Sequence, residues 1–154
     1  MEEHDAAVTA IGATAKTLLV TPGTWTLAND VTIPANIHLQ LVPGAVISVN
    51  TTKVLTINGS FEAPAQQVFS GVGAVLFGPG LVTPIQPVWW GATANGTTDD
   101  TVAAQAALNA VPAVGGTVAF IRGTYLIGSS LAVKSHTTVI IAAVGIAVVV
   151  YATF

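Results

Sequence analysis

Apolar and polar residues alternate over short stretches in the first sixty positions, with turn formers between them. Thr17-Leu18-Leu19-Val20 ends at Pro22-Gly23, Thr24-Trp25-Thr26-Leu27 ends at Asn29-Asp30, and Val31-Thr32-Ile33 ends at Pro34-Ala35-Asn36. Ile37 to Val42, Ala45 to Val49 and Val54 to Ile57 continue the series, broken by Pro43-Gly44 and Asn50 and closed by Asn58-Gly59. Successive side chains of a strand point to opposite faces, so this period predicts a run of short strands. On pattern alone, short strands with this turn density fit a sandwich and a solenoid equally well.

An internal match favours stacking. Sliding the chain by 100 residues places Gly23-Thr24-Trp25 on Gly123-Thr124-Tyr125, Val31 on Leu131, Ile33 on Val133, Leu39 on Val139, Leu41 on Ile141 and Val49 on Val149. Gly44 and Gly145 miss by one position. Matching inward positions in two segments are what stacked repeats require, because one repeat cannot bury its apolar face alone.

The second half departs from the strand pattern once. Thr101 to Ala110 is rich in Ala, the strongest helix former, and Pro112 follows. Asp99 or Asp100 is placed to N-cap this helix by accepting backbone N–H bonds at the positive end of its dipole. Gly115-Gly116 then turns into a strand from Thr117 to Ile121, and Gly123 opens the next turn. Upstream, residues 78–88 hold three prolines and two glycines, which disfavour helix and central strand alike. A boundary near residue 84 follows, giving an N-terminal extension (1–19), a small β-lobe (20–84) and a segment 85–154 with a capping helix at 100–111.

Residues 89–125 form one ordered motif: Trp89-Trp90-Gly91-Ala92, Asn95-Gly96-Thr97-Thr98-Asp99-Asp100-Thr101, the Ala-rich helix, Gly115-Gly116-Thr117-Val118, and Gly123-Thr124-Tyr125. This order resembles the start of the pectate-lyase-like right-handed parallel β-helix superfamily, as found in phage tail spikes and related polysaccharide-active proteins. Residues 20–90 are similar to a β-lobe that precedes the motif in some tail-spike-like chains. Two positions depart: Ala94-Asn95-Gly96 stands where the family often has Gly-Asp-Gly, and Ile121-Arg122 stands where proline is common. The resemblance implies a mainly β fold, a parallel β-helix or solenoid-like start with one short α-helix. It also implies homotrimeric assembly in a virion or at an extracellular surface. The family's catalytic carboxylates lie on later coils, and no position of this sequence receives them.

Composition sharpens the expectation of assembly. Only 7% of residues are charged and 52% are hydrophobic, against about 25% and 45–50% in typical soluble domains. So little surface charge leaves apolar surface to be covered by another chain. A formal charge of −3, with Lys16, Lys53, Arg122 and Lys134 dispersed, argues against nucleic acid, which requires clustered cations. The absence of cysteine excludes disulfides and thiolate metal sites. Met1-Glu2-Glu3-His4-Asp5 lacks the basic region of a secretory signal. Val139 to Phe154 is uncharged and apolar, which raises a membrane anchor as one reading. The run falls short of the roughly 20 residues of a spanning helix and is β-branched, so two buried strands are preferred.

The candidate chemistry is sparse. Trp25, Trp89, Trp90 and Tyr125 offer faces for sugar rings, against the alternative of covering the open end of an apolar core. Asp99 and Asp100 read as paired carboxylates or Ca²⁺ ligands in one sense and as helix cap and turn in the other; the structural sense is preferred, as for Gly115, Gly116 and Gly123. His4, His38 and His136 share no metal-ligand spacing, and Ser60 and the other serines have no accompanying His or Asp constellation. No catalytic residue, metal or cofactor is assigned. The expected function is a structural surface or virion protein contacting polysaccharide, with the leading portion of a polysaccharide lyase or hydrolase as the alternative.

Overall fold

The computed structural model describes residues 14–81 and 83–142, and the backbone of 149–150. Nine strands come first: β1 (Lys16–Val20), β2 (Gly23–Leu27), β3 (Val31–Ile33), β4 (Ile37–Leu41), β5 (Ala45–Val49), β6 (Val54–Ile57), β7 (Phe61–Glu62), β8 (Phe69–Gly71) and β9 (Ala74–Phe77). A 3-10 turn (Pro87–Trp90), β10 (Asn95–Asp99), α1 (Thr101–Asn109), β11 (Gly116–Phe120), β12 (Thr124–Ile127), β13 (Thr137–Ile141) and β14 (Val149–Val150) follow. The protein is mainly β, with parallel pairing and one α-helix among the described residues.

Pairing follows a rule of three. The first nine strands form three parallel sheets, β1-β4-β7, β2-β5-β8 and β3-β6-β9, so the chain returns to each sheet after visiting the other two. Leu18 pairs with Leu39, which pairs with Phe61; Trp25 pairs with Ile47, which pairs with Phe69. The alternation read from sequence is the burial pattern of β4 and β5, where every second residue is buried. Burying each of these Val, Leu or Ile side chains is worth about 1.5–3 kcal/mol, so apolar ladders facing one core are the main source of stability.

The last round of three strands closes this core with aromatic rings. Phe61, Phe69 and Phe77, one from each sheet, have ring centroids 5.6, 5.2 and 6.3 Å apart pairwise. Trp89 packs on two of them, 5.0 Å from Phe61 in an edge-to-face arrangement and 6.2 Å from Phe77. The buried face of α1 (Ala103, Ala104, Ala107 and Leu108) belongs to the same core cluster, which runs from Val20 to Ile127.

Stacked strands bring backbones close, and glycine makes room where a side chain has none. A Cβ on Gly59 would lie 1.8 Å from the Ile37 carbonyl oxygen, and one on Gly71 (φ +84°) 2.3 Å from that of Val49. No larger residue fits either place without moving a strand.

Several expectations take a different form. The first strand begins at Lys16, inside the stretch read as an extension. Within the Pro- and Gly-rich 78–88 segment, Ile85 is buried and bridges to Val118. Asn95–Asp99, read as a turn, pairs with β12 as a strand. β13 is a strand as expected, but Val139, Ile140 and Ile141 are exposed rather than buried. Strand propensity reflects β-branching, whereas burial needs a covering layer, and here none of the described residues supplies one. The rest of the apolar C-terminal run, 143–148 and 151–154, lies outside the described residues, as do the N-terminal 1–13 including His4. Among the described residues no helix is long and apolar enough to cross a membrane.

The 100-residue match carries β1, β2, β4 and β5 onto strands but not β3, because Leu131 to Val133 form no strand and Val133 is exposed where Ile33 is buried. β1 and β4 pair Lys16 with Ile37; β11 and β13 pair Gly116 with Thr137. Beyond them the register slips by one residue, since Thr26 pairs with Ser48 but Leu126 with Val149. The glycine mismatch in the sequence is the same slip.

Candidate functional site

The matched aromatics share a local device. Gly23 and Gly123 hold φ of +127° and +101°, turning the chain so that the aromatic two residues later reaches back. Trp25 Nε1 donates to the Thr21 carbonyl at 2.9 Å, and Tyr125 Oη donates to that of Ile121 at 2.8 Å. Tyr125 is buried with its ring edge-on to Phe120; burial first, and the Asp100 charge second, raise its phenol above the ordinary 10.0. Trp25 is half-buried against a small apolar void lined by Leu18, Leu39 and Ile47.

Trp89 is 2% exposed and donates Nε1 to the Pro64 carbonyl at 3.2 Å. Trp90 is half-buried, with its ring 5.0 Å from that of Phe69, and reaches a groove. Of the four aromatics, then, Trp89 and Tyr125 have no face for a sugar, while Trp25 and Trp90 keep accessible ring surface.

The two aspartates point apart. Asp100 sits at the N-cap position of α1, but its side chain makes no capping bond to the helix. Its carboxylate is buried, 2% exposed, and accepts bonds from the Thr93 amide (2.7 Å), the Thr93 hydroxyl (3.2 Å) and the Ala94 amide (3.0 Å). The expected N-cap is thus overtaken by a tertiary contact. This staple holds Ala94 at φ +49°, a conformation that L residues rarely adopt. The Ala94 carbonyl in turn accepts from Thr124 N at 2.9 Å, and a Cβ on Gly123 would lie 2.3 Å from that oxygen. Asp100, Ala94 and Gly123 therefore form one lock between the helix start, the turn before β10 and the turn before β12. Gly115 (φ +104°) packs in a similar way on the His136 backbone, and Gly116 N donates to the His136 carbonyl at 3.2 Å.

Asp99 takes over part of the capping role. It is exposed and accepts from the Thr101 hydroxyl and, at 2.9 Å, from the Thr101 amide. These bonds, the hydroxyl's the larger, hold its carboxyl below the ordinary 3.8. A carboxylate with a depressed folded pKa contributes stability that is present above its unfolded pKa and lost as pH falls through the folded one. Asp99→Asn is therefore expected to flatten the loss of melting temperature below about pH 4. Thermal melts followed by circular dichroism from neutral to strongly acidic buffer check this, and equal acid slopes in both proteins would contradict it.

One cluster escaped the sequence reading. His38 Nδ1 lies 2.8 Å from Ser60 Oγ, and its Nε2 lies 3.6 Å from Glu62 Oε2, beside an open depression lined also by Lys16, Thr17 and Asn36. Ser60 does have a His and a carboxylate beside it, because the chain returns to the same sheet about 22 residues later. The arrangement puts a base next to a hydroxyl. At 3.6 Å, however, Glu62 is beyond hydrogen-bond range and does not orient the imidazole. His38 and Glu62 are 33% and 63% exposed, so their attraction is screened. Adjacent outward positions on paired strands meet in this way whatever their function.

Among the described residues no three metal-ligating side chains converge. Comparison of the chain with protein families, characterised proteins and solved structures finds no match.

Proposed function

We propose that the chain forms a three-sided right-handed parallel β-helix, a non-catalytic structural element of tail-spike type. On this reading it assembles as a homotrimer at a virion or cell surface, where it contacts polysaccharide. The observation that carries the reading is the rule-of-three pairing, in which each of the first six strands pairs in parallel with the third strand after it. Parallel connections of this kind are right-handed in nearly all proteins. The order of the 89–125 motif supports the family, and the sparse charge supports the assembly.

Trimerisation answers a surface problem. Leu19, Val114, Val133 and the β13 residues expose large apolar side chains on a chain with 7% charged residues. Closed cyclic assembly covers such faces without open-ended growth. Sedimentation equilibrium at micromolar concentration is expected to give three times the 15.5 kDa chain mass. A soluble monomer would overturn the assembly.

A further inference from the structure

A groove runs between the β8–β9 turn and α1, with a volume of about 700 Å³. Trp90 and Gln67 stand in its lining with Ser129 and Ser130, and Val72 and Val102 form apolar rims, 78% and 83% exposed. Its size is that of a small-molecule site. Its chemistry is more specific: none of the lining residues carries a charge, while Gln67, Ser70, Gln105, Asn109, Ser129 and Ser130 contribute amides and hydroxyls.

We infer that this groove binds a neutral oligosaccharide. A sugar ring presents an apolar face to an aromatic ring and a rim of hydroxyls that both donate and accept; Trp90 supplies the first kind of partner, and Gln67, Ser70, Asn109, Ser129 and Ser130 the second. No lining residue is a cation, and Lys134 beside Asn109 is engaged by two backbone carbonyls, so the desolvation of an acidic glycan goes without offset and a neutral one is preferred. Part of the wall is held in place before any ligand arrives. Gln105 Oε1 accepts from Ala132 N at 2.8 Å, and its Nε2 donates to the Ala132 carbonyl at 3.0 Å and to Asn109 Oδ1 at 2.9 Å. Lys134 donates to the Asn109 and Val111 carbonyls and fixes the same segment along the helix. A wall fixed in advance lowers the ordering cost of binding.

The proposal rests on the surface-protein reading only for the origin of the glycan. The test is calorimetric titration of the full chain with dextran-, mannan- and cellulose-derived oligosaccharides and, separately, with oligogalacturonate. Binding of at least one neutral series is expected, changing less than twofold between low and high salt. Trp90→Ala should weaken it at least tenfold. Val102→Trp, a change on an exposed rim, should block it with the melting temperature unchanged, which guards against misfolding of the first variant. Preference for oligogalacturonate, undiminished binding in Val102→Trp, or no heat with any neutral series would overturn the inference. Sedimentation of the same samples separates the two readings: a trimer that binds no glycan removes the groove alone, and a monomer that binds removes the trimer alone.

Discussion

Asp100→Ala is expected to lower the stability of the fold by about 3–5 kcal/mol. The carboxylate is buried and accepts three hydrogen bonds, two of them from the backbone amides of Thr93 and Ala94. Hydrogen bonds to a charged group contribute about 1.5–3 kcal/mol each, and stranded buried amides cost about 1–3 kcal/mol. The loss spreads, because Ala94 holds its φ of +49° only while its amide is tied to Asp100, and its carbonyl anchors Thr124. In a chain of this size the change corresponds to a drop in melting temperature of roughly 10 °C. Asp100→Asn keeps one acceptor oxygen and should fall between the two. Asp99→Ala, by contrast, removes only exposed bonds to Thr101 and should move the transition little. Chemical denaturation of the three variants checks the order; equal losses at 99 and 100 would refute the lock.

The contrast between these neighbours also marks where sequence reasoning stops. A two-residue alternation is local, so β2 through β6 were legible from their own residues, and so was the helix from its alanines. The fate of Asp100 was not, because N-capping is judged from the residues just ahead of the aspartate, whereas its partners lie six and seven residues behind it. His38 and Ser60 met the same limit: neither has a telling neighbour in sequence, and only the return of the chain to one sheet joins them. That return was hidden because its length is not the same in all three sheets: Trp25, Ile47 and Phe69 follow one another at a constant interval, but the third sheet does not keep it. Val31 pairs with Leu55 and Leu55 with Val75, intervals that differ, and no turn motif recurs at each round. The 100-residue match was visible for the opposite reason, since the reach of Trp25 and Tyr125 to a carbonyl four residues back requires the same Gly-Thr-aromatic start. For the groove, the sequence offered Trp90 as a candidate sugar partner but gave no sign that α1 and the β8–β9 turn would form its walls.

Trp89→Ala should cost about as much as Asp100→Ala, and much more than Trp90→Ala, although the two tryptophans are adjacent. Trp89 is buried against the Phe61 and Phe77 rings, where the sheets end their third round. Removing a buried large aromatic costs about 3–5 kcal/mol through lost transfer energy and the cavity left behind. The edge-to-face contact with Phe61 contributes roughly another 0.5–1.5 kcal/mol. The indole bond to Pro64 goes as well, so Trp89→Phe, which keeps a ring but not the donor, should recover only part of the loss. Trp90 contacts Phe69 but keeps part of its ring in the groove, so its truncation should cost about 1–2 kcal/mol in proportion to the area it buries. Denaturant midpoints with unchanged slopes would assign both losses to the folded state. The split assigns the two rings different work, one as the lid of the core and the other as a wall of the groove. Equal losses at 89 and 90 would mean that both rings serve the lid, and Trp90→Ala could then no longer separate binding from folding.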